Sequence, residues 1–363
     1  MNRLLLIPLS LSLLLTGCSS DPTTPNPGDP DAGVIDPNPT ALVACVDNGF
    51  TELWAVNNLH GEINIQALSN NGILAVASLD GSLKQWVVGM SAEDAPLPEG
   101  KPSYGTTFVD EGDRLDAMAF ANGAELLIGG DVSGNIKVWN TGDSTPVSTT
   151  AVSKAGIVAL SIAPNETDVV IADTAFGGNM QVWNRTSDTT GDPLTSDLWS
   201  VSALAFNSGG DGFVAAGEWY GVYSLEHFAA AGTTPAHRWT TEDTSQTGTF
   251  KAIAFSADGS YVAAAGDDYV MVFDSSDFST GPIAELKVEG ADFGSVILAG
   301  GFFATTGGDG MLRLLDFDAD AGTLVAAGTH AVTQPVGLSL DASSKRLLAA
   351  GADGRVRAVG CVE

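Results

Sequence analysis

The sequence has few basic residues, and this shortage narrows the classes of partner. It contains 15 Lys and Arg against 44 Asp and Glu, which gives a formal net charge of −29. A surface of this charge repels nucleic acid and anionic lipid headgroups. We therefore predict no nucleic-acid partner, whereas a partner with a basic surface is compatible with the charge. General solubility, or adaptation to a salty habitat, explains the same composition.

Histidine is also scarce, and common catalytic motifs are missing. The four histidines are His60, His227, His237 and His330. They show no paired spacing of the kind found in zinc sites. The sequence contains neither a Gly-x-Ser-x-Gly elbow nor a Walker motif. The glycine-rich stretches GGDG at 307–310 and GADG at 351–354 recur in predicted turns, where glycine tolerates positive φ. We therefore expect no catalytic residues, no metal and no other cofactor.

The N-terminal hydrophobic run is too short to span a bilayer. It extends from Leu4 to Leu15 and follows Arg3, which is the layout of a secretory signal peptide. Its end, Leu15-Thr16-Gly17-Cys18, resembles the bacterial lipobox. This resemblance implies cleavage after residue 17, lipid attachment at Cys18 and acylation of the new amine, for example with palmitate. An ordinary cleaved signal peptide is the alternative.

The residue after Cys18 bears on the location of the protein. Ser19 stands where an aspartate would retain an enterobacterial lipoprotein in the inner membrane. The resemblance therefore implies a lipid anchor in the outer membrane, with the protein facing the periplasm or the cell surface. Residues 18–40 are rich in Pro, Asp, Thr and Asn and have little to bury, so we expect a disordered tether. Residues 41–363 form the predicted folded domain.

An internal repeat dominates residues 41–363. Seven stretches share a pattern of apolar alternation, a turn with Asn, Asp or Gly, a Val/Leu/Ala run, a second turn and further alternation; one example is KAIAFSADGSYVAAAGDDYVMVFD. This pattern predicts strands joined by hairpins. A single column of the third strand sets the register, and its members are Trp86, Trp139, Trp183, Glu226, Phe273, Leu315 and Val359. The period, mostly in the forties, with room for a fourth strand, predicts seven four-stranded blades of an all-β propeller.

The third-strand pattern resembles that of the WD-repeat family. The residues that carry the resemblance are DGSLKQW at 80–86 and AFSADGSYVAAAG at 254–266. The closing Trp-Asp of the family appears here as Trp139-Asn140, Trp183-Asn184 and Phe273-Asp274, and the family's Gly-His dipeptide is absent. The resemblance implies a seven-bladed ring in which an N-terminal strand completes the last blade.

The same resemblance gives a reason for a cysteine near the C-terminus. Because the last repeat ends on its third strand, the missing outer strand is expected from residues 41–57. Cys45 and Cys361 are then predicted on or beside neighbouring strands of one blade. They are the two cysteines that remain after lipidation, and the exported compartment is oxidising. We expect a Cys45–Cys361 disulfide; two buried free thiols are the alternative.

The turns between second and third strands are predicted to carry carboxylates on one face of the ring. The residues concerned are Asp80, Asp131, Asp173, Glu218, Asp267, Asp268, Asp309 and Asp353. Together they would attract cations or a basic partner. The favoured explanation is that they cap nearby backbone amides, because Asp is a preferred turn residue. Trp219, Tyr220 and Tyr269 fall in the same turns, either as exposed anchors for a protein or glycan or as packing between blades.

These features favour a protein-interaction module. We predict a non-enzymatic, monomeric, membrane-anchored propeller lipoprotein that acts as a scaffold for an unknown protein of the bacterial cell envelope. One alternative is a lactonase-like hydrolase with a metal held by carboxylates in the central channel. A second is a surface glycan-binding protein. The fold by itself is compatible with all three.

Overall fold

The structure is a computed structural model that describes residues 50–57, 61–69, 72–87, 108–109, 114–121, 125–143, 145–175, 177–230, 232–242, 246–256, 258–299, 302–341 and 346–361. All of these residues belong to one compact unit, Asp36–Glu363. The predicted signal peptide, Cys18, the predicted tether and Cys45 lie outside the described residues. Within the described ranges, no helix has the length and hydropathy needed to cross a membrane.

The described residues form seven four-stranded antiparallel sheets, as predicted. The first strand of the chain, β1, is Phe50–Asn57. Blade 1 contains β2 Ile63–Leu68, β3 Ile73–Ser78, β4 Ser82–Val87 and β5 Phe108–Val109. Blade 2 contains β6 Leu115–Ala121, β7 Leu126–Asp131, β8 Asn135–Asn140 and β9 Ser148–Ala151. Blade 3 contains β10 Ile157–Ile162, β11 Asp168–Asp173, β12 Met180–Asn184 and β13 Thr189–Thr190.

The remaining blades follow the same order. Blade 4 contains β14 Ser200–Phe206, β15 Gly212–Trp219, β16 Val222–Ala229 and β17 His237–Thr240. Blade 5 contains β18 Ala252–Phe255, β19 Tyr261–Gly266, β20 Tyr269–Asp274 and β21 Ala284–Lys287, with a 3-10 helix at Phe278–Thr280 before its last strand. Blade 6 contains β22 Phe293–Ala299, β23 Phe302–Gly307, β24 Met311–Asp318 and β25 Thr323–Ala331. Blade 7 contains β26 Pro335–Asp341, β27 Arg346–Gly351 and β28 Arg355–Cys361, and β1 completes it.

The ring closes through β1. This N-terminal strand pairs antiparallel with β28, from Phe50 opposite Cys361 to Asn57 opposite Arg355. The guanidinium Nε of Arg357 in β28 lies 3.6 Å from a carboxylate oxygen of Glu52 in β1. The first strands of neighbouring blades contact each other all round the ring, including β2 with β26. The predicted closure by an N-terminal strand is therefore confirmed.

The hydrophobic core is divided among the seven interfaces between neighbouring blades. Each interface holds one cluster of buried side chains. In the cluster that joins blades 7 and 1, Ile63 and Leu74 pack with Val356 and Ala358. The second strands lie between two neighbouring blades, so their residues are apolar in nearly continuous runs. All six residues of β27 are buried, for example.

The structure corrects one member of the third-strand column. In blades 2 and 5, Trp139 pairs with Leu127 and Phe273 pairs with Val262. The corresponding pair in blade 4 is Phe228 with Phe213, so Glu226 does not belong to the column. The β15–β16 hairpin contains eight residue pairs, whereas the β19–β20 hairpin contains six. The two additional pairs place the column residue of blade 4 two positions later in the sequence, at Phe228 and not at Glu226. Phe228 is fully buried, and its ring stacks on Phe213 with 5.0 Å between centroids.

Candidate interaction face

One face of the propeller carries the seven turns between second and third strands. These bc turns are at 79–81, 132–134, 174–179, 220–221, 267–268, 308–310 and 352–354. Because every blade repeats the same strand order around the ring, all seven turns open on the same side, which we call the bc face. Each predicted acidic residue lies in a bc turn or is one of the last two residues of the strand before it.

Most carboxylates of the bc face accept hydrogen bonds within their own turns. Asp80 accepts from the backbone N–H of Ser82 at 2.9 Å, and Asp353 accepts from that of Arg355 at 3.2 Å. Asp309 accepts from the backbone N–H of Met311 at 3.1 Å. Glu218 accepts from the backbone N–H of Gly221. These contacts are the turn caps that short acidic side chains make.

Other carboxylates of this face hold the linkers that join one blade to the next. Asp267 accepts from the backbone N–H of Thr249 at 2.9 Å, and Asp268 accepts from that of Gly290 at 2.7 Å. The Asp173 carboxylate accepts from the Ser153 hydroxyl in the linker between blades 2 and 3. The acidic residues therefore brace the loops around the ring, in addition to giving the face its charge.

Ion pairs with basic side chains neutralise part of the negative charge of these carboxylates. Arg313 forms an ion pair with Asp309, and Arg357 forms one with Asp353; both arginine side chains are nearly buried. The Nζ atom of Lys251 lies 2.8 Å from a carboxylate oxygen of Asp267. The hydrogen bond from Arg357 is the main reason why the pKa of the Asp353 carboxyl is lower than its ordinary value.

The Asp353→Asn variant is expected to make stability less sensitive to acid. The pKa of Asp353 is lowered in the folded state, so its contribution is present above the ordinary carboxyl pKa of about 4 and is lost as the pH falls through the lowered value. In thermal melts from neutral to acid pH, the variant should start at a lower melting temperature and then fall less than the wild type. Parallel pH profiles for the two proteins would contradict this assignment.

The structure separates the predicted binding residues by exposure. Trp219 is 42% exposed and Tyr220 is 61% exposed, so both are accessible from the bc face. Tyr269 and Asp131 are 7% and 0% exposed. Neither of these two is available to a partner on this face, which differs from the expectation for the set. Tyr269 packs against Tyr223 instead, with 5.7 Å between ring centroids.

Asp131 is buried because its carboxylate organises the β7–β8 turn. It accepts from the backbone N–H groups of Ser133 and Asn135 at 2.9 and 2.8 Å. The Asn135 side chain donates to the same carboxylate at 3.0 Å. The aspartate is therefore a structural residue of the turn.

Exposed apolar side chains gather on the bc face. In the described part of the chain, the large hydrophobic residues that are exposed are Leu53, Leu79, Val132, Val147, Trp219, Tyr220 and Val325. Four of them, Leu79, Val132, Trp219 and Tyr220, lie in or beside bc turns. The other three belong to outer strands or, for Val147, immediately precede one. Among the residues that the structure describes, the exposed large apolar side chains of the bc face thus come from blades 1, 2 and 4.

Sequence reasoning missed Leu79, Val132 and Trp199. The sequence does contain a signal for the first two: each is a large apolar residue directly beside an aspartate, at a turn position where other repeats have a small or polar residue. Trp199 lies in the linker before β14, and nothing local relates it to the turn at 220–221. In the structure its ring centroid is 3.9 Å from that of Tyr220.

The flank of the β15–β16 hairpin contains a small cavity of about 210 Å³. Its lining comprises Asp197, Leu198, Trp219, Ser224, Glu226, Arg238 and Thr240. The buried Glu226 carboxylate accepts from the Ser196 hydroxyl at 2.7 Å and from Arg238 Nε at 3.0 Å. Among the described residues, no three His, Cys, Asp or Glu side chains form a group that could hold a metal ion.

Comparisons with known proteins agree with this architecture. Residues 239–274, from β17 to the end of β20, match the WD40 family model, described as WD domain, G-beta repeat. The chain is similar in fold to a chain of the crystal structure of the mitotic checkpoint complex. The TM-score is 0.71 at 15% sequence identity, over 99% of this chain and 100% of that chain. The fold is a WD40-like seven-bladed β-propeller. A search of curated proteins found no match.

Proposed function

We propose that this WD40-like propeller is a lipid-anchored scaffold of the bacterial cell envelope, which binds a protein partner on its bc face. The observation that carries the proposal is that the exposed side chains of Leu79, Val132, Trp219 and Tyr220 all lie on one side of the ring. Contiguous or clustered apolar surface rimmed by polar groups is characteristic of protein-binding sites. The carboxylates of the same turns supply the polar surroundings.

The anchor in this proposal comes from the N-terminal sequence. Residues 1–17 act as the signal peptide, Cys18 carries the lipid, and residues 18–40 hold the propeller away from the membrane. The lipobox-like sequence ending at Cys18 supports this arrangement, as does the Pro- and Asp-rich composition that follows it. The anchor keeps the bc face within reach of other envelope proteins.

The test is crosslinking of the tagged, full-length protein in cells, followed by mass spectrometry of the crosslinked proteins. The face variant combines Leu79→Ser with Val132→Ser, and the matched control combines Val147→Ser with Val325→Ser at outer strands. We expect a discrete envelope protein that the control retains and the face variant loses. A Cys18→Ala variant should move from the membrane fraction to the soluble fraction.

Two outcomes would contradict the proposal. A partner retained by the face variant would place the interaction elsewhere on the molecule. If neither the wild type nor the control yields a discrete partner, the scaffold function itself is wrong. Recovery of the Cys18→Ala variant in the membrane fraction would remove the lipid anchor from the proposal.

A further inference from the structure

The β15–β16 hairpin extends further from the ring than its neighbour in blade 5. The additional residue pairs are Glu218 with Tyr223 and Trp219 with Val222. These pairs lift Trp219 and Tyr220 to the end of the hairpin, where both are exposed. We call Glu218, Trp219, Tyr220 and Gly221 the aromatic tip. The extension adds exposed aromatic surface to the bc face. It does not change the pairing of the buried residues of blade 4, in which Phe228 still pairs with Phe213.

Tyr220 has an unfavourable backbone conformation for its side chain. Its φ is +50°, and that of the following Gly221 is +80°. A two-residue hairpin loop with both φ values positive favours Asn-Gly, whereas a bulky residue at positive φ is unusual. Strained residues of this kind concentrate at functional sites. The tyrosine is therefore not the residue that turn stability alone would select.

The aromatic tip is braced on both sides. The backbone N–H of Trp199 donates to the carbonyl of Glu218 at 2.9 Å, and that of Gly248 donates to the carbonyl of Gly221 at 2.9 Å. The Tyr220 ring lies 3.9 Å from Trp199 and 4.8 Å from Trp219, measured between centroids. Because the rings are already held, a partner loses little conformational entropy in ordering them.

The surroundings of the tip are acidic. Glu218 belongs to the tip, and Asp197 and Glu226 line the cavity beside Trp219 with a single cation, Arg238. Those three carboxylates against one guanidinium leave net negative charge at neutral pH. Cations are attracted to the faces of Trp and Tyr rings, and Trp and Tyr are the commonest centres of binding energy in protein interfaces.

From these observations we infer that the aromatic tip docks a basic segment of the partner protein. An arginine or lysine of that segment lies over the Tyr220 ring near the Glu218 carboxylate, and an apolar neighbour contacts Trp219 at the cavity. The inference rests on the proposed function and names the partner's chemistry. It assigns to Tyr220 a role in binding that explains its unfavourable backbone conformation.

The decisive variant is Tyr220→Asn, because asparagine suits the backbone of position 220 and removes the ring. The probe is a short synthetic peptide of alternating arginine and leucine, titrated into the full chain by calorimetry and tryptophan fluorescence. The variant should melt at the same temperature as the wild type or higher, and bind the peptide roughly tenfold more weakly or worse. Glu218→Gln should weaken binding severalfold and reduce its dependence on salt.

Controls separate the tip from general attraction to an acidic protein. A peptide of alternating glutamate and leucine should not bind, and Val147→Asn, at another exposed position, should bind the basic peptide as the wild type does. If Tyr220→Asn lowers the melting temperature, Trp219→Ser provides a second variant. It removes apolar surface from the aromatic tip without changing the two residues of the turn.

The inference is overturned if the acidic peptide binds equally well, or if Tyr220→Asn and Trp219→Ser bind the basic peptide as tightly as the wild type. It is also overturned if an oligosaccharide, and not the basic peptide, binds in a manner that depends on Tyr220. Crosslinking in cells distinguishes failure of the inference about the aromatic tip from failure of the proposed scaffold function. A partner lost by the Leu79/Val132 face variant but retained by Tyr220→Asn would leave the proposed function standing without the tip.

Discussion

Replacing Cys361 with serine is expected to lower the free energy of unfolding by about 3–5 kcal/mol. The expectation follows from our proposal that Cys45 and Cys361 form a disulfide. Cys361 ends β28 opposite Phe50 of β1, and Cys45 is five residues before Phe50 in the sequence. The Cys361 thiol is not free, and its partner lies outside the described residues. A bond between these residues would enclose the whole ring, a loop long enough for the chain-entropy model to give a large effect.

Thermal melts with and without reductant measure this effect. Reductant should lower the melting temperature of the wild type and leave Cys361→Ser unchanged. Cys45→Ser should behave like Cys361→Ser, and the double variant should lose no more than either single variant, because both remove the same bond. A wild type that is insensitive to reductant, or additive single variants, would show that the disulfide does not exist.

The effect should be a loss of stability and not a loss of fold. The β1–β28 pairing, the Arg357–Glu52 contact and the cluster between blades 7 and 1 also close the ring. These interactions remain when the disulfide is removed. We therefore expect the reduced protein to keep its β-sheet circular dichroism spectrum at room temperature and to differ from the oxidised protein in its melting transition.

Replacing Gly266 with alanine is expected to destabilise the propeller by about 3 kcal/mol, at the upper end of the range for overpacked sites. A Cβ atom on Gly266 would lie 2.0 Å from the Thr249 carbonyl oxygen and 2.7 Å from the Phe250 Cα. Both obstructing atoms belong to the backbone, so rotation of a side chain cannot relieve the contact. Gly217, within the second strand of blade 4, and Gly307, at the end of the second strand of blade 6, are constrained in the same way, against the carbonyls of Ser200 and Ala291.

Chemical denaturation of Gly266→Ala measures the change, with Gly294→Ala as the matched control. Nothing lies within 4 Å of a Cβ built on Gly294, which is also in a strand of the propeller. The control should keep the stability of the wild type or gain slightly, because alanine restricts the unfolded chain. Equal stability of the two variants would contradict the argument from close backbone approach.

Gly307 and Gly351 show where sequence reasoning about glycine was incomplete. Turn chemistry correctly accounts for Gly310 and Gly354, which both have φ of +78°. The first glycine of each stretch is not among the residues with positive φ. At Gly307 and Gly351 the requirement is space, because the Ala291 and Thr333 carbonyls approach within 2.3 and 2.6 Å of a built Cβ. The clash depends on contacts that the turn sequence does not contain.

The sequence by itself determined the number of blades and the strand order within them, whereas closure by an N-terminal strand was implied by the resemblance to the WD-repeat family. Alternation of apolar residues and the Asn, Asp and Gly turns act over a few residues, so they can be read directly. The repeat then sets how many such units follow one another. For the same reason the position of each carboxylate in the repeat was enough to place it in a bc turn or within the last two residues of the strand before that turn.

Only the tertiary structure decided which of those residues face a partner. Tyr220 lies in a bc turn and Tyr269 directly follows one, yet Tyr269 is buried and Tyr220 is exposed. The difference arises from the length of the β15–β16 hairpin and from packing between blades 4 and 5. Trp199 joins the aromatic tip through a contact between a linker and a turn. Such contacts join residues that are distant in sequence or belong to different blades, and no local pattern encodes the distance between them.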